Sequence, residues 1–576
     1  MKKPDLSVLG RVGSYIRPYR VKLALSLIFA FVSVLFTIIF PLLTGKAIDA
    51  IAGGDGKLFM TLLAAMVVSA LITALAQYLM NRTNNSMAYG ISRDIRKEAF
   101  DHLQRLPLSY IDSHPHGDIV SRIITDADQV SDGLLMGFTQ LFTGVITIIG
   151  TLISMFLVNW IVALVVLLVT PLSLFTASFI AKKTFTLFYK QSEARGVQTS
   201  FIDEMITGSS VVSAYGREKK NQEEFDRINE KWAEYSLLAT FYSSLTNPVT
   251  RFVNSLVYTG VALSGGISAL YGIMSIGGLT SILSYASQYT KPFNEISGVV
   301  TELQNALASA SRIFDFLETE EEESDASLPD LKVSSGRVDI EHLRFSYTSE
   351  KEFIKDFSLA VEPGMRVAIV GPTGSGKTTI INLLMRFYDP QSGRISIDGK
   401  DIASVSRTSL RKSFGMVLQD TWLKSGTIRE NIALGNPEAT DEEIEKAAKL
   451  SHIDTFIASL PDGYNAYVTD DSDGISAGQK QLISISRIML SQPDMLILDE
   501  ATSSIDTRTE MMIQQAFMHL MKGRTSFIVA HRLSTIRNAD LILVVKDGDV
   551  IESGNHESLM EKGGFYSSLY RSQFGL

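Results

Sequence analysis

The 576-residue sequence contains no cysteine. That absence excludes disulfides, cysteine-ligated zinc and a cysteine nucleophile, and it leaves the redox compartment open. Excess basic charge is also missing. Against 62 Asp and Glu stand 53 Lys and Arg, a net charge of −9, so no general attraction to nucleic acid or anionic lipid is expected. The opening "MKKPDLSVLGRVGSYIRPYRVK" is too polar, and too long before its first apolar run, for a cleaved signal peptide. It reads as a cytosolic lead-in.

What the sequence does have is apolar residues, 45% of the chain with a mean hydropathy of +0.15, and they gather in the first half. Candidate membrane spans fall near 23–43, 58–80, 134–158, 160–180, 249–271 and 278–300, each close to the roughly 20 residues that a helix needs to cross a bilayer. Lys and Arg crowd the segment before the first span and the second and fourth connections, while the other connections hold only Lys46 and Lys57. Basic loops stay inside, which places both termini and the two long connections in the cytosol of an integral membrane protein. Those connections, Asn81 to Gly133 and Ala181 to Pro248, carry helical periodicity broken by "LPLSYIDSHPHGD" and "ITGSSVVSAYGRE". They are expected to extend the membrane helices as hairpins whose tips face a cytosolic partner. His114 and His116 flank a proline with no further ligand, so they read as a turn rather than a metal site.

Polar residues within the last two spans admit two readings. Arg251, Asn254, Gln288 and Lys291 either line a substrate cavity or lie near the cytosolic helix ends with their long side chains reaching water. After Val300 the helical pattern continues to "TEEEESDASLPD", which reads as a solvated acidic linker over 317–333. The membrane domain is thus expected over 1–316 and a second domain over 334–576.

In that second domain short β-branched runs alternate with helical segments, which argues for an α/β fold. "VAIVGPTGSGKTT" is a strand, a glycine turn and a helix start, the setting of a phosphate loop. Gly371, Gly374 and Gly376 let backbone N–H groups converge on phosphate, Lys377 reaches the β- and γ-phosphates, and the Thr378 hydroxyl binds magnesium. Thr373, Ser375 and Thr379 complete this ATP-binding stretch. Further on, "DMLILDEATSSID" ends an apolar strand in Asp499, placed to organise Mg2+, and Glu500, placed to activate water. The two motifs together describe a nucleoside triphosphatase.

"GISAGQKQL" from Gly474, followed after a helix by "LILDEAT", has the hallmark order of an ABC-type ATPase. The whole chain resembles an ABC exporter half-transporter of the multidrug and lipid-exporting type, through its six spans with long hairpins, "RFSY", the phosphate loop, "VLQD", "ILDEATSSID" and "AHRLSTI". The resemblance implies an α-helical transmembrane domain of six long helices with cytosolic extensions and coupling helices, followed by an α/β P-loop ABC ATPase domain. It further implies that Tyr347 stacks on adenine, that Gln419 touches magnesium and the attacking water, that His531 contacts the γ-phosphate, and that Asp506 crosses to the partner's site. Ser476 makes a good helix cap in any protein. In this family Ser476, Gly478 and Gln479 instead form a signature loop that reaches the γ-phosphate held by another chain.

A second half-transporter chain is therefore implied, with ATP-driven export of hydrophobic or amphipathic drugs or lipids across a bacterial plasma membrane. An ATP-gated channel or sensor subunit would carry the same motifs. A peptide-processing exporter would need a cysteine protease that the chain lacks. The family's usual signature has Leu and Gly where Ile475 and Ala477 stand, and Asp470 is the nearest match to its preceding glutamate. Since Lys377, Asp499, Glu500 and His531 are all present, the pattern resembles one member of a heterodimeric exporter.

Overall fold

The computed structural model describes residues 6–347, 352–418, 421–469, 474–499, 505–529 and 536–574. Apolar side chains are buried in two separate units, one formed by Met1–Arg105 and His114–Glu320, the other by Leu106–Ser113 and Glu321–Leu576.

The first unit is built of helices. After α1 (Leu6–Ile16) come α2 (Arg20–Ala52) and α3 (Gly56–Leu103); the next helix in the chain, α4 (Leu108–Ser113), belongs to the second unit. Then α5 (His116–Ser121), α6 (Ala127–Met136) and α7 (Phe142–Val158) form one run, joined by π-helical turns at Arg122–Asp126 and Gly137–Leu141. The rest are α8 (Trp160–Thr207), α9 (Ser209–Ala214), α10 (Glu218–Leu270) and α11 (Ile276–Leu317). Local chemistry sets where they begin: Asp55 accepts from Leu58 N to start α3, Asn159 from Ile161 N to start α8, and Ser275 from Gly278 N to start α11.

At ~1.5 Å per residue, the 48 residues of α3 span about 72 Å, more than twice the ~30 Å hydrocarbon layer. Each long helix must therefore leave the membrane as a polar extension. Among the described residues four runs are long and apolar enough to cross: Gly10–Ala52, Gly56–Leu103, His116–Val158 and Glu218–Leu270. A shorter apolar stretch, Trp160–Pro171, opens α8. Leu71, Leu75 and Leu168 point their side chains outward, as a lipid-facing surface requires.

Polar contacts tie α2 to its neighbours around Pro41, which has no N–H to donate. Ser69 donates to Phe36 O, Tyr285 to Ile38 O at 2.6 Å and Ser281 to Pro41 O at 2.9 Å, so hydroxyls satisfy carbonyls where hydrocarbon supplies no water. Next to them Gly45 and Gly277 bring α2 and α11 so close that a Cβ on either would overlap the other's backbone. Asp49 accepts from Ser275 Oγ at 2.7 Å and Gly277 N at 2.8 Å.

Among the described residues the second unit has twelve strands: β1 (Val338–Phe345), β2 (Ile354–Val361), β3 (Arg366–Val370), β4 (Ser392–Ile397), β5 (Lys400–Asp401), β6 (Phe414–Val417), β7 (Gly426–Thr427), β8 (Tyr467–Val468), β9 (Met495–Asp499), β10 (Thr525–Val529), β11 (Leu541–Lys546) and β12 (Asp549–Gly554). One sheet, ordered β2-β1-β4-β5, is antiparallel, an addition to the α/β expectation. A second is ordered β12-β11-β3-β10-β9-β6 and is parallel except for its β12 edge, while β7 and β8 pair separately. Its inner strands read as unbroken apolar runs because both faces are covered: Ala368, Leu496, Leu498 and Ile528 enter one core, Val367, Ile497 and Phe527 the other. Parallel strands put their carboxyl ends on one edge, and that edge carries the site.

Most of the acidic stretch is exposed, as its composition suggests, but Glu322 and Asp325 dock. Arg407, with its side chain only 7% exposed, pairs with Glu322 at 3.1 Å and also meets Asp325 and Asp389, while its Nη1 donates to Glu323 O. A buried guanidinium needs several acceptors, and the linker supplies them.

Candidate active site

The phosphate loop runs from the carboxyl end of β3 to α12 (Lys377–Leu384). Gly374 and Gly376 adopt φ of +78° and +109°, which suits glycine alone, so neighbouring amides can turn inward. Lys377 is buried, and its Nζ donates to the loop's own carbonyls, Gly371 O at 2.9 Å and Pro372 O at 3.0 Å. Burial holds its pKa below the ordinary lysine value, and Asp499 opposes that shift. Ser375 Oγ is buried with no hydrogen-bond partner among the described residues. An orphan hydroxyl, curled amides and a helix N-terminus are what a phosphate oxygen would satisfy.

Asp499 ends β9, one strand removed from β3 with β10 between. Both motifs therefore sit on the same sheet edge. Thr378, in the first turn of α12, is exposed. Gln419, Glu500 and His531 lie outside the described residues.

Tyr347 follows β1, so the antiparallel sheet brings an aromatic ring to the loop. Its hydroxyl shares a 2.9 Å hydrogen bond with Thr379 Oγ1, and 49% of the residue is exposed. Phe345, Phe353 and Tyr388 meet the ring edge-on with centroids 4.8, 5.9 and 5.2 Å away.

A separate element carries the second loop. Ser476 caps the helix that follows the signature loop. After α13 (Arg407–Ser413) come α14 (Ile428–Ala433), α15 (Asp441–Leu450), α16 (Asp454–Ser459) and α17 (Ala477–Ser491). Ser476 Oγ accepts from Gln479 N at 3.3 Å and Gln479 Oε1 accepts from Ser476 N at 2.9 Å, a reciprocal cap that starts α17. Ala477 is absent from the described positive-φ residues, so its methyl brings no backbone strain. Gly478 is tighter: a Cβ there would lie 2.5 Å from Thr509 and 2.9 Å from Ile505. Its neighbour Asp506 caps α18 (Thr507–Met521) by accepting from Arg508 N and Thr509 N, both at 3.0 Å. The Thr509 backbone bond leads the contacts that hold the Asp506 carboxyl below its ordinary pKa.

Residues 354–503 match the family described as "ABC transporter" and residues 23–293 match "ABC transporter transmembrane region". This chain belongs to the ABC transporters. Among its relatives, a fatty acid ABC transporter ATP-binding/permease protein of Mycobacterium tuberculosis is 44% identical over 83% of this chain and 76% of its own length. A putative multidrug export ATP-binding/permease protein of Bacillus subtilis is 33% identical over 99% of this chain and all of its own. The solved structure of a bacterial Atm1-family ABC exporter with ATP bound superposes with a TM-score of 0.77 at 28% identity, covering 97% of this chain and 98% of that one. The protein is thus a fused ABC exporter whose ATPase domain hydrolyses ATP to drive transport.

In this exporter the four polar membrane residues are spread over two helices, Arg251 and Asn254 on α10, Gln288 and Lys291 on α11. Arg251 and Lys291 are exposed, and Gln288 Oε1 is buried without a hydrogen-bond partner among the described residues. Sequence reasoning missed Tyr388 and Asp112, whose contact joins the first hairpin tip to the aromatic group around Tyr347. The aromatic in "RFYDP", just after α12, was the available signal.

Proposed function

We propose that this exporter moves amphipathic molecules, drugs or lipids, from a dimer in which each ATP lies between one chain's phosphate loop and the other's signature loop. The observation that carries the reading is the contrast between the two hairpin tips. Leu106–Ser113 folds with the ATPase unit of its own chain, whereas α9 belongs to the membrane unit and leaves Val211 and Tyr215 exposed. A second chain's ATPase domain is the natural cover for that apolar tip.

In the dimer, Lys377 and the α12 N-terminus hold the β- and γ-phosphates, and Tyr347 stacks on adenine. Ser476, Gly478 and Gln479 reach the γ-phosphate of the other chain, beside Asp506. Thr378, Gln419 and Asp499 are oxygen donors of the kind that suits Mg2+, which would neutralise phosphate charge when bound. Glu500 takes the proton of the attacking water and His531 positions it. ATP favours the closed dimer because only that state contacts it from both sides. Loss of the γ-phosphate removes the bridge.

The partner in this reading is a different half-transporter, since the altered residues Ile475 and Ala477 lie in the loop offered to the other chain, while the chain's own catalytic set is intact. Expression alone tests this: a stable homodimer with full substrate-stimulated ATPase contradicts it. The setting is the plasma membrane with both termini in the cytosol.

A fatty acid substrate is the second reading, favoured by the 44% identical relative of that description. Stimulation of ATPase by a panel of cationic dyes, phospholipids and free fatty acids in reconstituted vesicles separates the two. Stimulation by none of them contradicts both.

A further inference from the structure

The chain leaves α12 at Leu384 and turns through Arg386, held at φ +50°, to reach Tyr388. The Tyr388 hydroxyl donates to Asp112 Oδ2 on α4 at 2.6 Å. Its ring meets Tyr347 at 5.2 Å and 83°, and Phe345 braces both rings, 4.8 Å from Tyr347 and 5.7 Å from Tyr388. Burial, followed by the bond to Asp112, pushes the Tyr388 phenol above its ordinary pKa, so it remains a donor at neutral pH. The Tyr347 hydroxyl bond to Thr379 fixes one end of the ring, and the edge contacts with Phe345, Phe353 and Tyr388 fix its plane.

We propose that Tyr388 is a positioning residue for ATP: held by Asp112, it fixes the ring of Tyr347 for adenine, so that affinity for the base depends on the placement of α4. The proposal rests on the reading of Tyr347 as the adenine platform and deepens it. Only Gln104–Pro107 and His114–Pro115 separate α4 from α3 and α5 in sequence, so short connections link the helix that touches Tyr388 to the chain of the membrane unit. The phosphates are gripped elsewhere, by the loop amides and Lys377. Base affinity and triphosphate affinity are therefore separable, which a merely structural role for Tyr388 would not allow.

The test is equilibrium binding of ATP and of inorganic triphosphate to the full-length protein in lipid nanodiscs. Tyr388→Phe and Asp112→Leu should each weaken ATP about three- to ten-fold, the weight of one hydrogen bond, and the double variant should lose no more than either alone. Asp112→Asn keeps an acceptor and should stay within about two-fold. Triphosphate binding should be unchanged throughout. Tyr347→Ala separates the two layers: if it weakens ATP while Tyr388→Phe does not, the positioning role is wrong and the platform stands. If Tyr347→Ala binds ATP like the parent, the platform reading fails and the proposal with it. Equal losses for ATP and triphosphate in Tyr388→Phe would mark a general structural defect and overturn the proposal.

Discussion

Arg312 on α11 closes over the buried carboxylate of Asp126, with Nε donating to Oδ2 at 2.9 Å and Nη2 engaging the other oxygen. The pair sits where a π-helical turn lets α5 run on into α6, so the extra residue of that turn and the ion pair belong to one contact.

Arg312→Leu strands the aspartate. Because 53% of the arginine side chain is exposed while only 6% of the aspartate is, the expected loss is about 1–3 kcal/mol, less than for a fully buried pair. Asp126→Leu with Arg312→Leu should recover most of it. Thermal unfolding in detergent checks both, and a double variant no better than the single contradicts the account.

Gly478→Ala forces a methyl against Thr509 and Ile505, which should cost about 1–3 kcal/mol by overpacking and lower ATPase by displacing the start of α17. Ala477→Gly, at a position with no positive φ, should change neither stability nor turnover appreciably. Paired melting and ATPase measurements decide; a harmless Gly478→Ala would refute the close approach.

Lys377 has a folded pKa held down by burial. Between that value and the ordinary ~10.4 the unfolded chain binds more protons, so stability of the nucleotide-free ATPase domain rises with pH across the window. ATP affinity should fall across the same window as the charge facing the phosphates is lost. Lys377→Arg stays charged to higher pH and should not show that fall. A parent protein whose ATP affinity holds up to the ordinary lysine range contradicts the assignment.

The phosphate loop and the signature cap were legible because their reasons are local. Glycine is required at Gly374 and Gly376 by φ, and Ser476 with Gln479 closes a cap three residues long. The long helices were legible from apolar runs, and the sheet from β-branched ones. The docking of Glu322 within the exposed acidic linker was not legible because its partners, Arg407 and Arg411, come from some 80 residues away. Tyr388 escaped for the same reason: Asp112 is 276 residues distant in sequence. The π-helical turns at Arg122 and Gly137 leave no mark on periodicity.

Arg407→Met should release the docked linker. Glu322 and Asp325 lose their main cation, and limited proteolysis within Glu321–Leu328 should speed up while the ATPase core stays intact. Unchanged cleavage would show that the linker is held by other contacts.

The central claim is that hydrolysis at a site completed by a second chain drives export. Co-reconstitution of this chain with its partner half-transporter in vesicles, with Glu500→Gln in this chain, tests it directly through ATPase and uphill accumulation of a stimulating amphiphile. The account predicts that both fall together, to the level left by the partner's own site, while ATP still binds. Unchanged ATP turnover, or transport that persists after turnover is lost, would contradict it.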